Sequence, residues 1–316
     1  MYENHKICIV IPAFNEEAKI GDVLDKIPPY VDTVVVVNDG STDKTQEIAR
    51  SKGAIVATHK ENMGVGAAFN TGVRKTLELD VDIMANIDAD GQFNPEDIEK
   101  LVRPIVEGKA DFVTASRFKD PTLYPKMSRI KFLGNKFMSY FVSKIIREKF
   151  YDVSCGFRAY SREALLRMNL FGDFTYTQET FIDLAFKNLR ILEVPVKVRG
   201  TRQVGKSKVA SNLFRYGSQT LKIILKTLRD YKPLRLFAFI SAVCFILGTG
   251  FGAFLLTHYI LSGEFSPHKW AGFISGFLII FAVIWLIFGF ILDMFARMRQ
   301  NQEKILYMLK KVQKED

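Results

Sequence analysis

Five short apolar runs rich in Val and Ile punctuate the first part of the chain: Ile7–Ile11, Thr33–Val37, Ala54–Ala57, Asp82–Ile87 and Asp111–Ala115. Each is a few residues long and mostly apolar, so each predicts a buried strand. Between them, Glu16–Lys26, Lys44–Ser51, Val65–Leu77 and Pro95–Glu107 carry apolar residues at helical spacing, the last two opened by Asn62-Met63-Gly64 and by Asn94-Pro95. Strict alternation of strand and helix predicts an α/β fold, a parallel sheet with helices on both faces. Ligands of such sheets bind outside the carboxyl ends of the strands.

After Arg117 the alternation stops. Ile130–Phe150 sets Phe132, Phe137, Tyr140, Phe141, Ile145 and Ile146 among Lys131, Lys136, Lys144, Arg147 and Lys149, and Asn212–Leu228 has the same character. Either could be an ordinary packed helix; a basic polar face opposite an aromatic one also suits a helix lying in the head-group layer of a membrane. Then come two runs without a charged residue, Leu236–Gly263 and Trp270–Leu292, each longer than the roughly 20 residues that cross a bilayer as a helix. The short 262–269 loop makes them a hairpin. Arg229, Lys232 and Arg235 precede it and Arg297 and Arg299 follow it, so the positive-inside rule puts both termini in the cytoplasm. In the tail, Ile305, Met308, Leu309 and Val312 form one apolar stripe, read as a self-association segment or a membrane-surface helix.

Of 316 residues, 44 are basic and 34 acidic, a net charge of +10. Lys197–Arg235 alone holds eleven basic residues against Asp230, so this excess lies in one stretch beside the first apolar run. Such a patch suits anionic lipid or phosphate-bearing substrates, and with no DNA- or RNA-binding motif beside it, nucleic acid is not expected as a partner. Cys8, Cys155 and Cys244 are too few and too far apart for a disulfide framework or a zinc site. Lys6–Ile11 is too short for a signal peptide, so the large domain is expected in the cytosol.

Three predicted strands end in polar clusters: Ile11-Pro12-Ala13-Phe14-Asn15-Glu16-Glu17, Asn38-Asp39-Gly40-Ser41-Thr42-Asp43 and Asp88-Ala89-Asp90-Gly91-Gln92. Thr42 or Asp43 alone would be read as a helix cap. Asp88 and Asp90 are different, because two neighbouring carboxylates repel unless a cation lies between them. Few oxygen ligands suit Mg²⁺ or Mn²⁺, which takes the rest of its shell from water and a diphosphate. Asn62-Met63-Gly64-Val65-Gly66 lacks both the Lys of a phosphate-binding Walker loop and the third glycine of a dinucleotide fingerprint.

Together with Ser154-Cys155-Gly156-Phe157-Arg158 and Gly205-Lys206-Ser207-Lys208, these motifs resemble the inverting family 2 glycosyltransferases. Within them they are most similar to the dolichyl-phosphate mannose synthase and polyprenyl-phosphate glucosyltransferase branch. The resemblance covers residues 7 to about 210 and implies a GT-A type, Rossmann-like catalytic domain with a mostly parallel sheet. The chain then divides into that domain at 1–210, an amphipathic juxtamembrane helix at 211–233, a transmembrane helical hairpin at 234–296 and a C-terminal helix at 297–316.

The resemblance also implies roles. Pro12, Phe14, Glu16 and Asp39 match residues that cradle the base and ribose of a nucleotide sugar; Asp88 and Asp90, with Gln92 beside them, match those holding metal and diphosphate. Arg117, with Arg129 or Lys131, matches the site of the acceptor phosphate, and Arg202, Ser207 and Lys208 match a loop that closes over the donor. Phe14 stands where Tyr is common, and Asn38 where a first Asp is frequent. The implied reaction moves a hexose from GDP-mannose or UDP-glucose to a polyprenyl or dolichyl phosphate at the cytoplasmic membrane face, in a possible dimer or tetramer. With only His5, His59, His258 and His268, a histidine base is not expected, and none is needed, because a lipid phosphate already bears a nucleophilic oxyanion. Two other readings are a processive polysaccharide synthase and a non-catalytic nucleotide-sugar-binding membrane adaptor. The first should carry Gln-x-x-Arg-Trp, yet Trp270 and Trp285 both lie in the second apolar run. The second is disfavoured by the intact Asp88 and Asp90.

Overall fold

The computed structural model describes residues 1–125, 127–169, 176–199 and 229–312. The chain divides into two compact units, Met1–Thr220 with Tyr307–Asp316, and Leu221–Leu306.

In the first unit the apolar runs become β1 (Ile7–Ala13), β2 (Thr33–Asn38), β3 (Ile55–Thr58), β4 (Ile83–Asn86) and β5 (Phe112–Ser116). The helices between them are α1 (Ile20–Asp25), α2 (Thr45–Ser51), α3 (Val65–Glu78) and α4 (Ile98–Val106). After α5 (Arg129–Ile146) the chain returns to the sheet twice, as β6 (Arg158–Ser161) and β7 (Ile191–Pro195), with α6 (Arg162–Arg167) and α7 (Tyr176–Phe186) between. The order is β3-β2-β1-β4-β6-β5-β7. All pairings are parallel except those of β6, which runs antiparallel to both β4 and β5. That reversal brings the loop before β6 to the sheet edge where β1, β4 and β5 end.

α1 starts four residues later than its periodicity predicts. Asn15 takes a left-handed backbone, and the peptide amides of Asn15, Glu16 and Glu17 donate instead to side chains of Ser41, Thr45 and Asp43. α3 crosses the sheet closely enough that a Cβ on Gly72 would overlap the buried Val10 Cγ1. A β-branched neighbour cannot move aside cheaply, so Gly72→Ala should cost about 1–3 kcal/mol. A lowered midpoint in thermal unfolding is the expected outcome.

α5 is capped by Ser128 and stops at Arg147, which is left-handed. Asn135, Met138, Ser139 and Val142 are buried, while Leu133, Phe137 and Tyr140 stay exposed. The helix therefore packs on one face and offers an aromatic surface on the other, with Lys136 and Lys144 over the Phe132 and Tyr140 rings. The second predicted amphipathic helix, 212–228, lies outside the described residues.

The second unit is an antiparallel pair of helices long and apolar enough to cross a membrane, Pro233–Ser262 and Lys269–Val312. Small residues let them approach: Ser241 Oγ donates to Ala282 O at 2.7 Å, and Gly248, Ser275, Ala282 and Gly289 are buried at the seam. Large apolar side chains such as Phe239, Leu261 and Phe273 face outward, the arrangement expected of helices surrounded by lipid.

The second helix continues without a break past Arg297, where a separate C-terminal helix was expected. Its last residues belong to the first unit. There the Tyr307 hydroxyl donates to Glu163, and Lys310 Nζ donates to the carbonyls of Leu166 and Met168 and to Asn169 Oδ1, capping the C-terminus of α6. The polar face of the tail is thus engaged within its own chain, whereas Ile305, Met308, Leu309 and Val312 remain exposed.

Candidate active site

The polar clusters after β1 and β2 are knitted together. Asn15 Oδ1 accepts from Thr42 N, Glu17 from Lys44 N, and Asp43 from Thr45 N. The capping reading fails for Thr42, whose amide and hydroxyl both donate to Asn15, while Asp43 accepts from Glu17 N and Thr45 N and so ties the two loops together instead of serving as the N-cap of α2. Asp39 is almost fully buried; its Oδ1 accepts from Met63 N at 2.9 Å and its Oδ2 from Gly64 N at 2.8 Å. This fastens the Asn62–Gly64 turn to the end of β2. Gly40 supports it, since its φ of +71° and a Cβ that would overlap the Glu61 backbone both exclude larger residues.

Beyond β4, Asp88 and Asp90 follow in alternation. Burial, and then the charge of Asp90, push the Asp88 carboxyl up to about 7, with Arg117 and Arg158 acting in the opposite direction. Two carboxylates have thus been brought together beyond one strand end. Gln92 holds Asp90 in place, donating from its backbone to Oδ1 at 3.1 Å and from Nε2 to Oδ2 at 2.7 Å. Gly156 lies against Asp88, so that a Cβ there would stand 3.3 Å from Oδ2. Asn86 Nδ2 donates to the Gly156 carbonyl and to the Tyr176 hydroxyl, and Tyr176 stacks on Phe69.

Arg117, at the end of β5, is clamped by the fully buried Asp152: Nε donates to Oδ2 at 2.6 Å and Nη2 to Oδ1 at 2.9 Å. Nη2 also reaches Ser154 Oγ, which in turn donates to Asn135 of α5. Burial opposes both charges, yet the pair overcomes it: Asp152 is held below the ordinary carboxylate range and Arg117 above its own ordinary value. Glu193 of β7 anchors the same loop by accepting from Tyr151 N and Asp152 N. Arg158 is fully buried and donates to the carbonyls of Val153, Cys155 and Thr177, fixing the loop from beneath. Gly91 and Gln92 also line a cavity of about 470 Å³ whose walls include Lys19, Lys26, Lys197 and Arg199 as well as Asp22 and Asp97.

The profile of Glycosyl transferase family 2 matches residues 8–168, the stretch that carries every element of this crevice from β1 to α6. The chain belongs to glycosyl transferase family 2. It is 34% identical over 212 residues to the UDP-N-acetylglucosamine--dolichyl-phosphate N-acetylglucosaminyltransferase of Methanococcus voltae, covering 60% of this chain and 84% of that protein. A dolichyl-phosphate hexose transferase of Haloferax volcanii is 31% identical over 211 residues, 66% of this chain and 88% of that one. Among solved structures, glucosyl-3-phosphoglycerate synthase from Mycobacterium tuberculosis in complex with Mn²⁺ and UDP-glucose is 26% identical with a TM-score of 0.54. The match covers 71% of this chain and 78% of that one.

In this family 2 glycosyltransferase the residues expected from sequence fall into three groups. Pro12, Phe14, Glu16 and Asp39 follow or close β1 and β2, and Asp88, Asp90 and Gln92 follow β4, the strand next to β1. Arg117 shares the same sheet edge; Arg129 and Lys131 sit in the first turn of α5, and Asn135 of that helix accepts from Ser154 Oγ in the Arg117 cluster. Arg202, Ser207 and Lys208 lie outside the described residues. Sequence reading left Asn86, Asp152, Tyr176, Glu193 and His59 without a role. The available signals were a lone Asn in an apolar strand, a lone Glu in another, and an Asp opening the Ser154–Arg158 motif.

Proposed function

We propose that this glycosyltransferase moves a hexose-class sugar from a nucleotide sugar to a polyprenyl or dolichyl phosphate, with inversion at the anomeric carbon. The observation that carries the reading is the Asp88–Asp90 pair beyond the end of β4, in a chain with two membrane-length helices. The relatives named as dolichyl-phosphate sugar transferases support the acceptor class. Among the described residues no three His, Cys, Asp or Glu side chains gather as a metal cage. Two hard oxygen donors suit an ion that completes its shell with a diphosphate, so the residues present fit Mg²⁺ or Mn²⁺. When bound, such an ion supplies a Lewis acid for the departing nucleoside diphosphate.

Asp88 and Asp90 would hold that ion, with Gln92 fixing the orientation of Asp90 and Gly156 and Asn86 shaping the floor. Pro12, Phe14, Glu16 and Asp39 would receive the base and ribose. Arg117 would meet the acceptor phosphate through the guanidinium edge that Asp152 leaves open. Asp152 and Ser154 hold the fork in one orientation, which limits the freedom lost when the acceptor arrives. The acceptor needs no base, since its second ionisation lies near about 6 and an oxyanion is present at neutral pH. The rate then depends on in-line placement behind the anomeric carbon. The two apolar helices, with the basic residues flanking them, would span the membrane with both termini cytoplasmic, and the aromatic face of α5 would rest at the lipid surface.

Incubating membranes containing the protein with radiolabelled GDP-mannose, UDP-glucose or UDP-N-acetylglucosamine tests the proposal. Label should enter an organic-soluble product from one donor, depend on added polyprenyl phosphate, and disappear in EDTA. Label that enters only water-soluble products would reject a lipid acceptor.

A further inference from the structure

His59 directly follows β3, and its amide donates to Asn38 O at 2.9 Å, which holds it to the end of β2. Its ring is nearly enclosed, with 11% of the side chain exposed, and Asp39 beside it keeps 5%. Nδ1 lies 2.7 Å from Asp39 Oδ1, and Nε2 lies 2.9 Å from Thr71 Oγ1 on α3. Since a carboxylate only accepts, Nδ1 carries the hydrogen; Nε2 then meets a hydroxyl that can donate or accept. The result is a relay from α3 through an imidazole to the Asp39 carboxylate.

Asp39 is held from two directions. Oδ1 takes the imidazole N–H and the Met63 amide, whereas Oδ2 takes only the Gly64 amide among the described residues. A carboxylate oxygen has room for two donors. Oδ2 therefore retains one acceptor direction, and His59 with the turn amides determines where it points.

We propose that His59 is a positioning residue for the donor: it fixes Asp39 so that Oδ2 presents its open lone pair to a nucleoside N–H or O–H. This rests on the reading of Asp39 as a donor-binding residue. His59 touches neither the sugar nor the diphosphate and takes no proton from the acceptor. Its loss lets the carboxylate rotate, which weakens nucleotide binding and leaves the chemical step largely intact. Thr71 sets the ring plane, so its loss acts in the same direction and more weakly.

The test uses the full-length protein in detergent, with UDP and GDP as calorimetric probes in Mg²⁺ and steady-state kinetics on the working donor. His59→Ala should weaken nucleoside diphosphate binding and raise the donor KM on the order of tenfold, the scale of a lost hydrogen bond to a charged group. The kcat and the lipid-phosphate KM should change far less. His59→Asn, whose amide N–H can stand in for Nδ1–H, should recover most of the affinity, and Thr71→Val should fall between wild type and His59→Ala. If His59→Ala unfolds, the asparagine and valine variants still decide the matter by the same ratio of KM to kcat. Asp39→Ala separates the two levels. Weak binding in Asp39→Ala with unchanged binding in His59→Ala overturns the role of His59 alone. Unchanged binding in both overturns it together with the donor reading of Asp39. A fall in kcat at constant donor KM in His59→Ala also overturns it.

Discussion

Asp90→Ala should reduce sugar transfer by at least about 10²- to 10³-fold, the scale seen when a group that stabilises developing charge is removed. The variant should still fold and unfold at nearly the wild-type temperature. Asp90 sits on the loop beyond β4, half-buried, and accepts two hydrogen bonds from Gln92, two residues away on the same loop. Those two bonds join no strand or helix. What the substitution removes is one of two carboxylates able to hold a divalent ion against the donor diphosphate, and Asp88 alone offers too few ligands. EDTA should inactivate the wild type, and Mg²⁺ or Mn²⁺ should restore it. Substantial activity of Asp90→Ala in EDTA would refute the assignment.

Asp152→Asn should have the largest effect on stability, because it leaves the Arg117 guanidinium in a buried site without its counter-charge. Breaking a buried pair on one side costs roughly 3–5 kcal/mol. The dependence on pH follows from the direction of the shift. Burial by itself would raise the Asp152 carboxyl, but Arg117 and the backbone donors around it bring it below the ordinary range. A carboxyl depressed in the folded state adds stability that is present above its unfolded value of about 3.9 and is lost as pH falls through the folded value. The gap in thermal midpoint between wild type and Asp152→Asn should therefore be full at neutral pH and close in strong acid. A constant gap would show that the cost comes from packing rather than from the ion pair. Arg117→Met combined with Asp152→Leu should recover part of the stability and none of the transfer to lipid phosphate.

β1, β2, β4 and β5 were legible because an inner strand of the sheet is apolar along most of its length, as in Val34–Val37, whereas β3 is an edge strand that leaves Ile55 exposed and not buried as expected. β6 and β7 were not. β6 is four residues long and opens with Arg158, a charge that breaks the apolar pattern of a strand and that this fold buries among Phe112, Tyr176 and Phe181. β7 carries Glu193, whose carboxylate is consumed by two backbone amides. The start of α1 was misjudged for a related reason, since side chains of the β2 loop supply partners to amides that periodicity would place in a helix.

The same logic separates what was visible in the site from what was hidden. Asp88 and Asp90 announce themselves because repulsion between close carboxylates can be read from their spacing. Asp152 and His59 act through partners far along the chain, Arg117 and Asp39, and no local pattern links them. The tail shows the same limit: its apolar stripe was legible, but the grip of Tyr307 and Lys310 on α6 depends on the helix C-terminus they meet.

On the proposed mechanism the sugar alone, not a sugar phosphate, moves onto the lipid phosphate from the face opposite the leaving nucleotide. Nuclear magnetic resonance of the purified lipid product, with phosphorus and anomeric proton couplings read together, tests it most directly. A single phosphodiester phosphorus joined to C1, with the anomeric configuration opposite to that of the donor, is the expected result. A pyrophosphate linkage or a retained configuration would contradict it.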